Sequence, residues 1–261
     1  MNFFKWLWAD LFGLKNGEET PYQVLFAGYR DWANEAFSEL EFEFEIHRKT
    51  SKVKFTPVET HDELLSLLEE NRYDLVFLAG WSEFIPSRLC AKHNIVAVHP
   101  SNLPDYAGGS PIQHQVIDGL TQTFMTMGKL IPNAKTDDWL IYYKYPISLE
   151  GDIDDIFLEL TTATRELFRS LMVHARSLPS GEKYFEVIPG SRFAGVTNVR
   201  RRLKPEDSWI PKYKFSKLTV REIYNLIRCR TEPYPNAFIK DGTGTLRFTK
   251  VEFDEPESDE T

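Results

Sequence analysis

Three short apolar segments, each ending in a glycine or a histidine, constrain the fold of this chain more than any other feature. YQVLFAG ends at Gly28, DLVFLAG ends at Gly80, and a third run leads into His99. Continuous apolar runs of this length are typical of strands that are buried on both faces. The pattern therefore predicts an α/β fold with a Rossmann-like, mainly parallel sheet and helices on both faces.

Hydrophobic periodicity predicts the elements between and after these strands. Residues 42–49 (FEFEIHRK) alternate and indicate a second strand, whereas leucines recur at helical spacing in residues 61–70. Residues 124–131 and 139–146 indicate two further strands. Residues 152–177 indicate one long helix.

Composition divides the 261 residues into four parts. The aromatic segment 1–20 predicts an amphipathic helix that docks on the protein itself or on a partner, with a membrane-surface helix as the alternative. Residues 21–180 form the predicted sheet domain. Residues 181–253 form a small C-terminal α+β domain with an alternating strand at 245–253, and residues 254–261 form an acidic tail.

Charge and cysteine content exclude several classes of protein. The net charge of −8 argues against a general nucleic-acid binder. The two cysteines, Cys90 and Cys229, are far apart in sequence, which disfavours a metal knuckle or a disulfide framework, so no metal is expected. No apolar run is long enough to span a membrane, and a cytoplasmic location is expected.

The loops that follow the predicted strands are candidate ligand-binding segments. Ligands of open parallel sheets bind beyond the carboxyl ends of the strands, where Gly28, Gly80 and His99 fall. No GxGxxG motif follows the first strand, so a dinucleotide site is disfavoured. His99 is followed by several prolines and by Gly108-Gly109, a stiff setting that suits a side chain held in one position.

Several segments of the sequence resemble motifs of a known family. The segment VHPSNLPDYAGGSPIQHQVIDG resembles the signature of folate-dependent formyltransferases, and GWSEFIP is similar to the loop that holds the pterin in that family. DDWLIYYKYPISLEGD resembles the segment that carries the catalytic aspartate, in wording closest to sugar N-formyltransferases. RRLKPEDS and PYPNAF resemble motifs of the second domain of two-domain members.

The resemblance implies a set of site residues and 10-formyltetrahydrofolate as cosubstrate, without a metal. The implied catalytic residues are His99, which donates to the oxyanion, and Asp137, which orients the histidine and assists proton removal. The implied cofactor-binding residues are Gly80, Trp81, Phe84, Ile85, Pro86 and Asp137. The implied substrate-binding residues are Ser101, Asn102, Gly108, Gly109, Ser110 and Gln113.

One position departs from the family pattern. An asparagine that donates to the oxyanion is expected two residues before the histidine, and Ala97 stands there. Either another donor replaces it, or the protein is a degenerate, non-catalytic homologue. The candidate replacements are Ser101, Asn102, Gln113 and a backbone N–H of the Gly108-Gly109 turn.

The acceptor is expected to be the amine of a nucleotide-linked amino sugar, with dTDP as the favoured nucleotide and glycan or lipopolysaccharide biosynthesis as the setting. The acidic chain argues against tRNA, because phosphates call for a basic surface. The basic cluster at residues 200–204 is interpreted as a structural hinge. Methionyl-tRNA, another small amine and a non-catalytic folate or sugar-nucleotide binder remain alternatives, and a homodimer through the small domain or the N-terminal helix stays open.

Overall fold

The structure, a computed structural model, describes residues 22–46, 53–132, 139–177, 192–194 and 199–255. The predicted N-terminal helix lies outside these residues, as does the end of the acidic tail from residue 256 onward. The strands are β1 (Tyr22–Ala27), β2 (Val53–Val58), β3 (Leu75–Leu78), β4 (Ile95–His99), β5 (Gln122–Leu130), β6 (Trp139–Ser148), β7 (Arg192–Ala194), β8 (Phe238–Asp241) and β9 (Gly244–Arg247).

Helices connect most of these strands and cover the sheet. The helices are α1 (Asp31–Ile46), α2 (His61–Glu70), α3 (Ser87–Lys92), α4 (Pro111–Ile117), α5 (Ile153–Ser177), α6 (Lys212–Phe215) and α7 (Val220–Arg228), with a 3₁₀ helix at Pro205–Ser208. Within the described residues, no helix is both long enough and apolar enough to cross a membrane.

The main sheet has seven strands in the order β2-β1-β3-β4-β5-β6-β7. Neighbours among β1 to β4 pair in parallel, whereas β5, β6 and β7 each pair antiparallel to the preceding strand. Five of the seven strands, β1 to β4 and β6, therefore point the same way, which confirms the predicted α/β class. Because β2 and β3 lie on opposite sides of β1, the chain reverses its direction of travel across the sheet at β1.

Alternate residues of the central strands feed two separate cores, one on each face of the sheet. Val96 and Val98 of β4 pack into the core under α1, α4 and α5. Ile95 and Ala97 of the same strand pack into the core under α2 and α3. His99, two residues after Ala97, belongs to the second face by the same alternation.

The predicted strand at residues 42–49 is wrong for residues 42–46, which form the end of α1. The buried residues of α1 include Trp32, Ala36, Leu40 and Phe44, an interval of four that matches one face of a helix. The alternation of phenylalanine and glutamate covers only five of the sixteen residues of this helix. The longer helical period decides the structure, because it buries one continuous face.

The second strand of the sheet is β2, which the sequence did not reveal. It pairs only with β1 and lies at the edge of the sheet, and Val58 is its one buried residue. It also contains Pro57, which an edge strand tolerates because one side of its backbone is unpaired. An exposed, proline-containing strand lacks the apolar pattern on which the prediction depends.

The C-terminal part differs from expectation in two respects. The predicted strand at 245–253 is wrong beyond Arg247, where β9 ends, because β9 pairs with β8 only from Gly244 to Arg247. β7 pairs with β6 of the main sheet, so this sheet extends past the predicted domain boundary at residue 180.

A buried arginine anchors α7 to the sheet domain. The Arg228 side chain is 4% exposed, and its guanidinium donates to the carbonyl oxygens of Leu149 (2.6 Å) and Gly151 (2.8 Å) and to Oδ1 of Asn225 (2.8 Å). Hydrogen bonds from a charged donor are stronger than those between neutral groups. The anchor positions the segment that follows α7 against the sheet domain.

His93 joins α2 and α3 on the second face of the sheet. Its Nε2 atom lies 2.7 Å from the carbonyl oxygen of Leu68, and its Nδ1 atom is buried without a hydrogen-bond partner among the described residues. Because a carbonyl oxygen only accepts, the proton resides on Nε2. Burial lowers the pKa of the His93 imidazole, since a second proton would place a charge at a site that cannot solvate it.

We predict that His93 makes the protein less stable in mild acid. The unfolded chain takes up a proton near pH 6.5 and the folded chain does not, so stability is complete above that pH and falls below it. His93→Gln keeps a donor for Leu68 without titrating. Urea unfolding at pH 7.5 and 5.5 should show a smaller loss for the variant, by up to about 1.4 kcal/mol per pH unit. Equal losses in the two proteins would contradict the prediction.

Candidate active site

The carboxyl ends of β1, β3 and β4 meet at one edge of the sheet. Ala27 is paired with Leu78, and Leu78 with Ala97, so β1 and β3 end at the same level and β4 continues two residues further, to His99. The loops that begin at Gly28 and Gly80 therefore lie beside His99, the last residue of β4. The direction of the chain reverses at β1, and in open α/β sheets such a point is where ligands bind.

Two cavities lie side by side at this edge. The apolar cavity, bordered by Phe84, Ile85 and Trp139, has a volume of about 370 Å³. The polar cavity, bordered by Arg30, Gln113 and Tyr234, has a volume of about 330 Å³. Six residues border both cavities and form their shared wall: Trp81, Ser82, Val98, His99, Gly108 and Arg202.

His99 lies in the shared wall with a nearly buried side chain. It is 9% exposed, and its Nε2 atom lies 3.2 Å from the carbonyl oxygen of Tyr106. The carbonyl accepts, so this contact places a proton on Nε2. The ring of Trp139 packs edge-on against the imidazole at a centroid distance of 5.9 Å. The ring is thus oriented by a backbone contact and an aromatic contact.

The predicted cofactor residues divide between the cavities. Trp81, Phe84 and Ile85 border the apolar cavity, which has the apolar walls that a flat heterocycle requires. Gly80 borders the polar cavity instead, and Pro86, directly before α3, borders neither.

Asp137, the predicted catalytic aspartate, lies outside the described residues. The described chain resumes at Trp139, the first residue of β6. The role of Asp137 therefore stays a prediction.

The predicted substrate residues that follow the Gly108-Gly109 turn reach the cavities. Gly108 borders both, Gly109 borders the apolar cavity, and Ser110 and Gln113 border the polar cavity. Gln113, on α4, is 4% exposed and makes no side-chain hydrogen bond within the described chain. Its amide is therefore available to a ligand in the polar cavity.

Ser101 and Asn102 border neither cavity and instead fix the loop after His99. The Ser101 hydroxyl donates to the carbonyl oxygen of Asp105 at 2.7 Å. The ammonium of Lys144 donates to Oδ1 of Asn102 (2.5 Å) and to the carbonyl oxygen of Leu103 (2.7 Å). Burial lowers the pKa of Lys144. Because β6 holds this lysine, the loop is tied to the sheet from which His99 projects.

The linker at residues 199–203 packs against the Gly108-Gly109 turn at backbone distance. The Gly109 N–H donates to the carbonyl oxygen of Arg200 at 2.8 Å, and the Arg200 N–H donates to that of Ala107 at 2.7 Å. A Cβ on Gly109 would lie 2.5 Å from the backbone N and Cα of Arg202. Only glycine allows this approach, which brings Arg202 into the shared wall.

Two charged residues that border the polar cavity, Arg30 and Arg202, were not among the predicted site residues. Arg30 follows β1, and an arginine in a loop gives no signal of its own. Arg202 belongs to the basic cluster that was interpreted as a hinge. The linker does have this structural role, but Arg202 also borders both cavities.

The described residues offer no metal site. No three or more His, Cys, Asp or Glu side chains converge among them in a way that could hold an ion. Cys90 borders the apolar cavity as a free thiol, and burial raises its pKa, so it is held in the neutral form.

Comparison with known proteins identifies the family. The model of the formyl transferase family matches residues 34–171, a little more than half of the chain. The chain therefore belongs to the formyl transferase family, and the predicted family is confirmed. A methionyl-tRNA formyltransferase from Natranaerobius thermophilus is 27% identical over 189 residues, which cover 71% of this chain and 57% of the relative. The chain thus spans little more than half the length of that relative.

Solved structures with different names share the fold. A methionyl-tRNA formyltransferase from Clostridium thermocellum superposes with a TM-score of 0.71 at 24% identity, covering 89% of this chain and 93% of that one. A sugar N-formyltransferase from Shewanella gives 0.59 at 12% identity, covering 89% and 99%. HypX from Aquifex aeolicus, solved with tetrahydrofolic acid, gives 0.58 at 13% identity, covering 83% and 35%. At these identities the likeness shows the fold alone.

We predict that Gly109→Ala displaces the linker and lowers stability. The added methyl group would overlap backbone atoms of Arg202, which cannot move aside as a side chain could. Overpacking of this kind typically costs about 1–3 kcal/mol, a fall in Tm of roughly 2–10 °C for a chain of this size. Gly242→Ala is the matched control, because a Cβ there meets no atom within 4 Å. Equal melting temperatures for both variants would show that the contact is unimportant.

Proposed function

We propose that this protein transfers the formyl group of 10-formyltetrahydrofolate to the amine of a nucleotide-linked amino sugar. The observation that carries the proposal is the position of His99 in the wall between an apolar and a polar cavity. The pterin occupies the apolar cavity beside Trp81 and Ile85. The acceptor occupies the polar cavity, and the two reactants meet at the imidazole.

The reaction needs a hydrogen-bond donor at the point where charge develops. The lone pair of the acceptor amine forms a bond to the formyl carbon, and the carbonyl oxygen becomes an oxyanion. The C–N10 bond then breaks, the carbonyl re-forms, and the proton lost by the amine balances the one gained by tetrahydrofolate. His99 donates to the oxyanion, and Asp137 assists removal of the proton, as the family resemblance implies.

The contact with Tyr106 suits His99 to this role. Its N–H is already directed at an oxygen, but the distance of 3.2 Å lies at the long end of the range for N–H···O hydrogen bonds. An oxyanion is a stronger acceptor than a peptide carbonyl. The donor can therefore pass from Tyr106 to the transition state at little cost.

Gln113 is the best-placed side chain to replace the donor that is missing at Ala97. Ser101 already donates to Asp105, the Gly109 N–H donates to Arg200, and Asn102 borders neither cavity. Gln113 borders the same cavity as His99 and has no hydrogen-bond partner within the described chain. Its amide N–H₂ group supplies the kind of donor that an asparagine would.

A second acceptor, methionyl-tRNA, is favoured by the names of the sequence relatives. Two observations stand against it: the net charge of −8, and the position of Pro233, Tyr234 and Pro235 of the C-terminal part at the border of the polar cavity. Proteins bind the phosphates of a tRNA with an open basic surface, whereas a small amine fits a cavity of about 330 Å³.

The decisive experiment offers competing acceptors. The protein is incubated with 10-formyltetrahydrofolate and either dTDP-linked amino sugars, glycinamide ribonucleotide or methionyl-tRNA, and release of tetrahydrofolate is followed. We expect turnover with an amino sugar and a loss of roughly 10²–10³-fold in kcat for His99→Asn, with an unchanged circular dichroism spectrum. Turnover with methionyl-tRNA alone would favour the second acceptor. Tight folate binding without turnover of any amine would indicate a non-catalytic binder.

A separate prediction concerns Gln113. Gln113→Glu keeps the shape of the side chain but replaces the donor with an acceptor, so kcat should fall roughly 10²-fold with little change in KM for folate. Gln122→Glu makes the same change at an exposed position of β5 and should leave kcat unaltered. If Gln113→Glu retains full kcat, the replacement donor lies elsewhere.

A further inference from the structure

Three consecutive arginines of the linker differ in whether their side chains have an electrostatic partner. The guanidinium of Arg200 pairs with Asp118 at 3.0 Å, and that of Arg201 pairs with Asp207 at 2.5 Å. The guanidinium of Arg202 forms neither an ion pair nor a hydrogen bond within the described chain. It is the one of the three that borders the cavities.

Arg30, in the loop after β1, also borders the polar cavity. It also lacks an ion pair and a hydrogen bond within the described residues, and its guanidinium carbon lies 5.2 Å from the ring centroid of Tyr29. Its stem packs against Gly80, where a Cβ would lie 2.8 Å from Cγ of Arg30. Gly80 has a φ of +62°, so both its conformation and this contact favour glycine.

The charge around the polar cavity is unbalanced. Arg30, Arg202 and His99 border it, whereas no aspartate or glutamate does among the described residues. The chain as a whole carries 39 acidic against 31 basic residues. Two cationic side chains that border one cavity without a carboxylate repel each other. An anion bound between them would attract both and offset this repulsion.

We propose that Arg30 and Arg202 bind the diphosphate of the acceptor. The proposal rests on the proposed function, because it assigns the polar cavity to the acceptor. A guanidinium donates two parallel hydrogen bonds to phosphoryl oxygens, a geometry that an ammonium does not reproduce. The site therefore selects acceptors that carry a diphosphate over free amino sugars.

The test measures anion binding directly, without the unidentified sugar. Titration calorimetry with pyrophosphate and with dTDP is carried out on the wild type, Arg30→Gln and Arg202→Gln. Each substitution should weaken binding of both probes at least tenfold, and Arg202→Lys should recover only part of the loss. Arg200→Gln is the matched control. It removes the same charge two residues before Arg202, at a side chain that pairs with Asp118. Its affinity should equal that of the wild type.

Other results would overturn the assignment. Equal affinities in the wild type, Arg30→Gln and Arg202→Gln, or no binding of pyrophosphate to the wild type, would show that these arginines do not form a diphosphate site. Binding of succinate as tight as that of pyrophosphate would point to a carboxylate ligand. Binding of an RNA acceptor-stem oligonucleotide without binding of dTDP would assign the arginines to tRNA.

Tetrahydrofolate binding, measured on the same samples, separates this proposal from the proposed function. If tetrahydrofolate binds and the diphosphate probes do not, only the diphosphate site fails. If the diphosphate probes bind and tetrahydrofolate does not, formyl transfer fails while the anion site stands.

Discussion

The hydrogen-bonded register of β1, β3 and β4 at their carboxyl ends is the constraint on which the site depends. Hydrogen bonding across three parallel strands fixes the register of their ends. This register alone brings together the loops after Ala27 and Leu78 and the imidazole of His99. The reversal of chain direction at β1 leaves a crevice there. The sheet therefore fixes the positions of the loops, and side chains of the loops line the cavities.

Two further contacts turn this crevice into a pair of cavities. Lys144 ties the loop after His99 to β6, and the linker at residues 199–203 packs on the Gly108-Gly109 turn. The first contact holds the loop that follows His99, and the second brings Arg202 to the wall that the two cavities share. Pro233, Tyr234 and Pro235 then border the polar cavity, so its shape depends on the part of the chain after the main sheet.

The sequence predicted the central strands well because each is buried on both faces and reads as a continuous apolar run. It failed for α1 and β2, where a local alternation competed with a helical period and where an edge strand carried a proline. His99 was accessible to prediction through its motif and its position at a strand end. Arg30 and Arg202 were not, because their significance comes from the cavity that they share and from the lack of a bordering carboxylate among the described residues, which are properties of three-dimensional packing.

The anchor made by Arg228 has a consequence for the working range of the protein. Its acceptors are two peptide carbonyls and an amide, none of which titrates or carries a net charge. Docking that rests on carboxylates weakens when acid neutralises them and when added electrolyte screens them. The docking of α7 on the sheet domain depends on neither carboxylates nor ion pairs. We therefore expect Pro233, Tyr234 and Pro235 to keep their positions at the polar cavity at high salt concentration and in mild acid.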